Sequence, residues 1–342
     1  MNKIIITKAG LLTTIQDRGR WGYQQYGISV AGAMDQFAMN VANLIVGNNK
    51  DAAVLECTYS GPEIEFCCDE SICLTGADMD PKINGNPVQM WTSLLLRAGD
   101  KLTLKGAKNG LRSYIAFSRQ LDVSLIMGSK STYIRGKLGG LHGDKLSAGD
   151  EIGLGEKDPN YVGSYLSKEH IPNYKSHANL RVVMGPQDDC FTEEALWTFL
   201  NSTYCISTDA DRMGYRLDGP TIQHIEGADI ISDGIVMGSI QVPGNGLPII
   251  MMSDRQTTGG YTKIATVITS DLSTLAQMGP GSTVEFSRVS VEESHSIYKG
   301  YMNKLTEIEA AIKSRRFELV KTRSFVLTFQ EKIYNVEVNE IL

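Results

Sequence analysis

Residues 253–265 read SDRQTTGGYTKIA and lie between two short apolar runs, residues 247–252 and 264–268. Both runs are typical of buried β-strands, so this part of the chain predicts two strands joined by a polar segment. Glycine lets a backbone approach a ligand closely, while Arg, Lys and Gln supply hydrogen-bond donors. We therefore expect the segment to hold an anionic or amide-like small molecule, with a solvated strand connection as the alternative.

The composition is that of an ordinary globular protein. The 342 residues are 42% hydrophobic and 21% charged, with a net charge of −6, which argues against a nucleic-acid-binding surface. We find no apolar stretch long enough to cross a bilayer, and the first residues are typical of a strand rather than a secretion signal. We therefore expect a cytoplasmic protein.

The pattern of glycines and short apolar runs predicts a mainly β fold. Thirty-four glycines separate these runs at the close spacing of sandwiches and barrels. Asn84-Gly85 and Asp233-Gly234 predict hairpin turns within residues 82–88 and 230–236. The six cysteines form no C-x-x-C pair and the five histidines are scattered, so the sequence predicts no metal site.

Few helices are expected. Asp35 is a candidate N-cap for a helix over residues 36–46, and Thr192 for one that ends at Leu200. Residues 271–278 predict a short helix, and residues 291–321 a long one with an apolar stripe. That stripe predicts packing against the first lobe, against a second protomer or against a partner.

The chain divides at a polar stretch, residues 157–179. We expect a first lobe over residues 1–160 and a second over residues 178–290. Residues 291–342 would then form a C-terminal extension, a helix followed by a hairpin-like tail over residues 325–341.

Two further polar clusters suggest anion binding. Gln16, Asp17 and Arg20 crowd among glycines just before a helix start, where anions bind well. The alternative is that Asp17 only pins a loop, and the sequence leaves both possibilities open. Arg212 and Arg216 would share a face of an extended strand and form a cationic groove. Gln241 is a lone amide on an apolar strand, so it needs a hydrogen-bond partner if it is buried.

Seven motifs, in order, carry a family resemblance: TIQD (14–17), GAMD (32–35), GPQ (185–187), DRMGYRL (211–217), SDGI (232–235), GSIQVP (238–243) and DRQTTGGY (254–261). Over roughly residues 3 to 290 the chain resembles the biotin-dependent carboxyltransferase family, also called allophanate hydrolase subunit 2. Within it, the chain is most similar to the stand-alone bacterial members, the C-type subunits of ATP-dependent 5-oxoprolinase. The resemblance implies two cyclophilin-like β-barrel lobes with a cleft between them, and the active site is expected in that cleft or shared with the B-type partner subunit.

The resemblance also implies ATP-driven opening of 5-oxoproline to glutamate, with ATP and Mg²⁺ as cofactors. The implied partners are a B-type subunit, similar to allophanate hydrolase subunit 1, and an A-type lactam-utilisation subunit. No Met-Lys-Met acceptor occurs in the sequence, so we expect no covalently bound biotin on this chain. The alternatives are a carboxyltransferase subunit that acts on urea or a related amide, and a non-catalytic antagonist of a histidine-kinase inhibitor.

The expected site combines these clusters. Opening a lactam requires cations, donors to the amide oxygen and a proton carrier. The catalytic candidates are Lys263, Gln256, Asp271 and Asp17, with Asp254 as a further carboxylate for proton transfer or Mg²⁺. The candidates for binding substrate or phosphate are Arg255, Arg212, Arg216, Gln241, Gln16, Arg20, Thr257, Thr258, Gly259 and Gly260.

Overall fold

The computed structural model describes residues 2–156, 161–315, 317–329 and 332–341. The first lobe is built almost wholly of strands because its apolar residues recur at every second position. In the first strand, for example, Ile4 and Ile6 are fully buried while Lys3 and Ile5 are not. Its elements are β1 (Lys3–Lys8), β2 (Leu12–Gln16), α1 (Gln36–Ile45), β3 (Val54–Thr58), β4 (Glu63–Phe66), β5 (Glu70–Asp78), β6 (Lys82–Ile83), β7 (Asn86–Pro87), β8 (Ser93–Leu96), β9 (Lys101–Thr103), β10 (Asn109–Phe117), β11 (Leu121–Asp122) and β12 (Glu151–Leu154).

These strands form two sheets around one core. One sheet has the order β11-β12-β1-β4-β9-β6-β7 and the other the order β2-β3-β10-β5-β8. Residues such as Ile15, Phe66 and Phe117 fill the core between them. The turn between β6 and β7 contains Asn84 and Gly85, both at positive φ, so the hairpin predicted there is confirmed.

The second lobe is a closed barrel with the strand order β14-β21-β18-β19-β16-β15-β22. Two strands, β17 and β20, pair with each other outside the barrel, and we call them the ribbon. The elements after the first lobe are β13 (Tyr161–Val162), β14 (His177–Met184), α2 (Glu193–Asn201), β15 (Tyr204–Ile206), β16 (Gly214–Asp218), β17 (Asp229–Gly234), β18 (Ser239–Gln241), β19 (Ile249–Met251), β20 (Thr258–Tyr261), β21 (Lys263–Val267), α3 (Thr269–Ala276), β22 (Thr283–Arg288), α4 (Val291–Ser314), β23 (Phe317–Phe329) and β24 (Lys332–Ile341). The mainly β prediction is confirmed.

The helix caps follow the sequence signals. The carboxylate of Asp35 accepts a hydrogen bond from the backbone N–H of Ala38, and the hydroxyl of Thr192 accepts one from Ala195. The predicted starts of α1 and α2 are therefore confirmed.

Helix α3 spans Thr269–Ala276 rather than residues 271–278, and three further predictions differ from the structure. The hairpin expected around Asp233-Gly234 is absent from the described structure because both residues continue β17, where Asp233 pairs with Gly259 and Gly234 with Thr258. Helix α4 ends at Ser314, short of residue 321, and the tail hairpin begins at Phe317 rather than at residue 325. The reason is the length of the partner strand: β24 runs to Ile341, which pairs with Leu319.

Helix α4 packs on the first lobe. Its buried stripe, Leu305, Ile308 and Ile312, joins Val41 and Ile45 of α1 in one apolar cluster. Of the three packing arrangements predicted from the apolar stripe, the structure shows the one against the first lobe. No helix in the described part of the chain is both long and apolar enough to span a membrane.

Candidate functional site

Arg212 joins the two lobes. Its Nε and Nη2 atoms donate to the carboxylate of Asp254 at 3.0 and 2.8 Å, and Nη2 also donates to the carbonyl of Gly32 at 2.8 Å. Its Nη1 atom pairs with Glu56 of the first lobe. Burial opposes the charge of Arg212, but Asp254 and Glu56 outweigh this effect and raise its pKa. All three nitrogen atoms of the guanidinium therefore donate hydrogen bonds that help to join the lobes.

A second buried bridge lies beside it. The Nη1 atom of Arg112, on β10, donates to the hydroxyl of Tyr215 and to the carbonyl of Ala276, both at 2.6 Å. The amide of Gln277 in the second lobe bonds the backbone of Arg112 and donates to Asp35 at 2.8 Å. Buried polar groups whose partners are present hold elements in one arrangement, so we expect the lobes to move as one unit.

The prediction that Arg212 and Arg216 form a cationic groove is wrong. Arg212 precedes β16 and is buried, whereas Arg216 lies within the strand and is exposed. The two side chains do not share a face because the strand begins only at Gly214.

Gln16, Asp17 and Arg20 hold a first-lobe loop. The carboxylate of Asp17 accepts hydrogen bonds from the hydroxyls of Ser129 and Ser131 and from the backbone of Gly19 and Lys130. Gln16 donates to Thr14 and to the carbonyl of Thr132, and accepts from Gly32. Arg20 donates to the carbonyls of Ile126 and Ser131. These contacts favour the loop-pinning alternative for Asp17.

Asp271 is likewise occupied. Its carboxylate receives the backbone N–H of Arg181 at 2.8 Å and the Nε atom of the same arginine at 3.0 Å. This pair ties the first turn of α3 to β14. We assign Asp271 and Asp17 to support of the fold rather than to proton transfer.

The remaining predicted residues meet beside the ribbon. The Nζ atom of Lys263, on barrel strand β21, lies 2.6 Å from the Oδ2 atom of Asp233, on β17. The backbone N–H of Lys263 donates to Oε1 of Gln187 at 3.2 Å. Gln256 donates to Oε1 of Gln241, which in turn donates to the carbonyl of Tyr261, both at 3.4 Å. We call Lys263, Asp233, Gln187, Gln241 and Gln256 the lysine–amide cluster.

The ion pair within this cluster has one buried and one exposed end. The side chain of Lys263 is 4% exposed, whereas that of Asp233 is 55% exposed. The hydrogen bond from Lys263, followed by that from the backbone of Gly234, lowers the pKa of Asp233. The carboxylate is therefore ionised at neutral pH and reaches solvent.

Arg255 is a buried cation close to the cluster. Its Nε atom donates to the carbonyl of Ile235 and its Nη1 atom to that of Met252, both at 3.2 Å. Within the described ranges no carboxylate forms an ion pair with it, and burial lowers its pKa to about 10. A guanidinium without a carboxylate partner suits an anionic ligand.

The glycines of the ribbon let the backbone approach the cluster. A Cβ atom on Gly259 would lie 2.5 Å from Cδ1 of Ile235 and 2.7 Å from Nε2 of Gln241. Thr257 accepts a hydrogen bond from the backbone of Ile235, while Thr258 and Gly260 lie on β20. Gly259 is thus required for close contact between β20 and the amide of Gln241.

A cavity of about 760 Å³ lies next to this region. It is lined by parts of α2, residues 221–228 and residues 244–246, and it includes neither Lys263 nor Arg255. Its wall contains His224, whose Nε2 atom lies 2.9 Å from the hydroxyl of Thr262. The lysine–amide cluster instead lies on the ribbon side of the barrel wall. Among the described residues no group of three or more metal-ligating side chains occurs.

Residues 26–288 match the carboxyltransferase domain, subdomains A and B. The chain belongs to this carboxyltransferase domain family. The matched range contains Glu56, Arg212 and Asp254, which join the lobes, and the whole lysine–amide cluster.

The chain is similar to proteins from bacteria and from other organisms. The C-type subunit of 5-oxoprolinase from Escherichia coli (strain K12) is 38% identical over 84% of this chain and 92% of that protein. Its counterpart of the same name from Haemophilus influenzae is 34% identical over 82% of this chain and 89% of that protein. The putative urea carboxylase of Emericella nidulans is 31% identical over 85% of this chain but 24% of that protein.

A solved structure shares the fold of this carboxyltransferase domain. The crystal structure of TTHA0988 is similar with a TM-score of 0.77 and 28% sequence identity. The match covers 84% of this chain and 55% of that one, so the chain spans about half the length of that relative.

Two residues of the site, Asp233 and Gln187, were not among the predicted site residues. Asp233 was assigned to a turn, and Gln187 carried no role although both lie in motifs of the carboxyltransferase domain family. The available signal for Asp233 was the SDGI motif (232–235), one of the seven motifs that carry the family resemblance.

Proposed function

We propose that this chain is a subunit of an ATP-dependent 5-oxoprolinase, which opens the lactam 5-oxoproline to glutamate. The observation that carries the proposal is the lysine–amide cluster, where a buried cation, an exposed carboxylate and three side-chain amides converge. Two relatives named as C-type subunits of 5-oxoprolinase, matched over most of their length, support the same substrate.

The substrate presents groups that these side chains can bind. Its carboxylate suits Arg255, which has no carboxylate partner among the described residues. The Oε1 atom of Gln256 has no hydrogen-bond donor in the described structure and suits the lactam N–H. Gln241 holds Gln256 in place and therefore acts as a positioning residue.

Lys263 and Asp233 together supply a proton cycle. Water forms a bond to the lactam carbon while the ionised Asp233 takes its proton. The C–N bond breaks, and the ring nitrogen receives a proton from Lys263. Asp233 then returns a proton to Lys263 across their 2.6 Å hydrogen bond, which restores both groups.

Before the water attacks, ATP would transfer its terminal phosphoryl group to the lactam oxygen and leave as ADP, which makes the ring carbon reactive. Mg²⁺ would be held by the phosphates and one or two carboxylates, as is usual at such sites. The net reaction consumes one ATP and two waters, one for the C–N bond and one for release of phosphate. We place B-type and A-type subunits in the complex because the relatives are named as one subunit among several.

Reconstitution tests the proposal. The full chain is combined with purified B-type and A-type subunits, and glutamate is measured after addition of 5-oxoproline and ATP. We expect glutamate and phosphate in equal amounts, with neither formed when ATP is omitted. Absence of glutamate from the complete mixture contradicts the proposal.

The urea carboxylase relative favours a second candidate, carboxyl transfer to urea or a related amide. In the same assay, a biotin-bearing carrier and its carboxylase replace the B-type and A-type subunits. Bicarbonate-dependent consumption of urea in that mixture, with no glutamate in the first, would select this candidate.

A further inference from the structure

The ribbon has an open edge. Strand β17 pairs with β20 on one side, and no described strand pairs with its other side. Its residues are exposed apart from Ile230, which is half-buried. Open strand edges are usually protected in monomers by charge, shortness or a covering element, because they pair readily with other chains.

An apolar side chain stands on this edge strand. Ile231 is 95% exposed, the highest value among the exposed large apolar residues of the described structure. Ile225 and Val236, in the segments that flank β17, are also exposed. Single exposed apolar residues are common, but an isoleucine on an open edge between two others marks an interaction surface.

The same surface is acidic. Glu226, Asp229 and Asp233 are all exposed, and only Asp233 has an ion-pair partner among the described residues. Two copies of such a surface would place like charges together, which disfavours self-association. A partner with basic side chains around an apolar contact fits it instead.

This surface adjoins the lysine–amide cluster. Asp233 belongs to β17, and its exposed carboxylate covers the buried ammonium of Lys263. A protein bound at the edge of β17 would shield that ion pair from bulk solvent and enclose it together with the substrate and the attacking water. Water exclusion strengthens electrostatic interactions in a site where charge develops during reaction.

We propose that the open edge of β17 is the docking surface for the B-type subunit, which adds a strand there and presents basic side chains to Glu226 and Asp229. Strand addition supplies backbone hydrogen bonds, and Ile231 fills an apolar pocket of the partner. The choice of partner rests on the proposed 5-oxoprolinase function, while the location of the surface rests on the ribbon itself.

Binding of the purified B-type subunit to the full chain tests the proposal by titration calorimetry. Ile231→Asp and, separately, Asp229→Lys are compared with Leu125→Asp, a matched change at a residue of the first lobe that is 66% exposed. We expect each ribbon variant to weaken binding at least tenfold and Leu125→Asp to bind like the wild type. Circular dichroism and the melting temperature confirm that each variant is folded.

Two results would overturn the proposed docking surface. Either both ribbon variants bind the B-type subunit with wild-type affinity, or the wild-type chain does not bind that subunit. Release of glutamate by the complete mixture is measured in parallel. If the wild-type mixture releases none while the ribbon variants still lose binding, the 5-oxoprolinase function fails and the docking surface stands. If it releases glutamate and the ribbon variants bind normally, the function stands and the surface is contradicted.

Discussion

Lys263 and Asp233 form an ion pair 2.6 Å long between a barrel strand and the ribbon, with the lysine buried and the aspartate open to solvent. A pair that served stability alone would gain little from such an arrangement, because the buried ammonium loses its hydration while water screens the exposed carboxylate. The arrangement instead places a reactive carboxylate where a substrate can reach it and holds its proton donor behind it.

Gly259→Ala is expected to disturb the site more than the fold. The added methyl would meet Ile235 and Nε2 of Gln241 at 2.5 and 2.7 Å, so β20 or the amide must shift. We expect at least tenfold lower glutamate release and a stability loss of about 1–3 kcal/mol. Activity of the reconstituted complex and urea unfolding of the chain measure the two effects.

Gly260→Ala is the matched control. The nearest atom to its added methyl is the carbonyl oxygen of Ile230 at 3.4 Å, an ordinary contact. We expect stability within about 1 kcal/mol of the wild type and unchanged activity. Equal effects at both glycines would show that close approach at Gly259 has no special importance.

Arg212→Met is expected to loosen the junction of the lobes. The change leaves Asp254 buried without a cation and Glu56 with only the more distant Arg112, at 3.9 Å, which costs about 3–5 kcal/mol. Arg216→Met, at the exposed arginine four residues later, should change stability by less than about 0.5 kcal/mol. Chemical unfolding measures both, and similar stability of the two variants would refute the interlobe role of Arg212.

Asp17→Ala separates a structural from a catalytic aspartate. Four donors from Gly19, Ser129, Lys130 and Ser131 lose their acceptor, so we expect a stability loss of about 1–3 kcal/mol. Asp51→Ala, which removes only an exposed pair with Arg18, serves as the control. Full stability with lost activity in Asp17→Ala would restore Asp17 as a catalytic residue.

His224 gives a pH dependence of stability. Burial lowers the pKa of this histidine below its ordinary 6.5, although the carbonyl of Val242 partly opposes the shift. The unfolded chain therefore binds the proton more readily, so stability is complete above pH 6.5 and falls as the pH drops below it. His224→Gln should lack this contribution, and unfolding of both proteins from pH 5 to 8 measures it. A stability difference between them that does not vary with pH would contradict the prediction.

Local signals in the sequence predicted the parts of the fold that depend on neighbours along the chain. Asp35 and Thr192 cap helices because each cap bonds a backbone group three residues away. Asn84-Gly85 forms its hairpin for the same reason. Asp233-Gly234 failed because a distant strand, β20, pairs with it, and one sequence does not reveal that partner.

The site was predicted in part for a similar reason. Arg255, Gln256, Gln241 and Lys263 were identified because cations and amides among glycines suggest a ligand. The sequence does not reveal which arginine has a carboxylate partner. Tertiary structure brings carboxylates to Arg212, and in the described residues it brings none into an ion pair with Arg255. Glu56, which is far from Arg212 in the sequence, forms an ion pair with it, whereas no described carboxylate forms an ion pair with Arg255.

The most direct test of the account is the rate of glutamate release by the reconstituted complex that contains Lys263→Met. Lys299→Met, at an exposed lysine of α4, is the control for loss of a positive charge. We predict that Lys263→Met binds its partner subunits and unfolds much like the wild type but releases glutamate at least a hundredfold more slowly, while Lys299→Met is unaffected. Wild-type turnover in folded Lys263→Met would contradict the claim that the lysine–amide cluster opens the lactam.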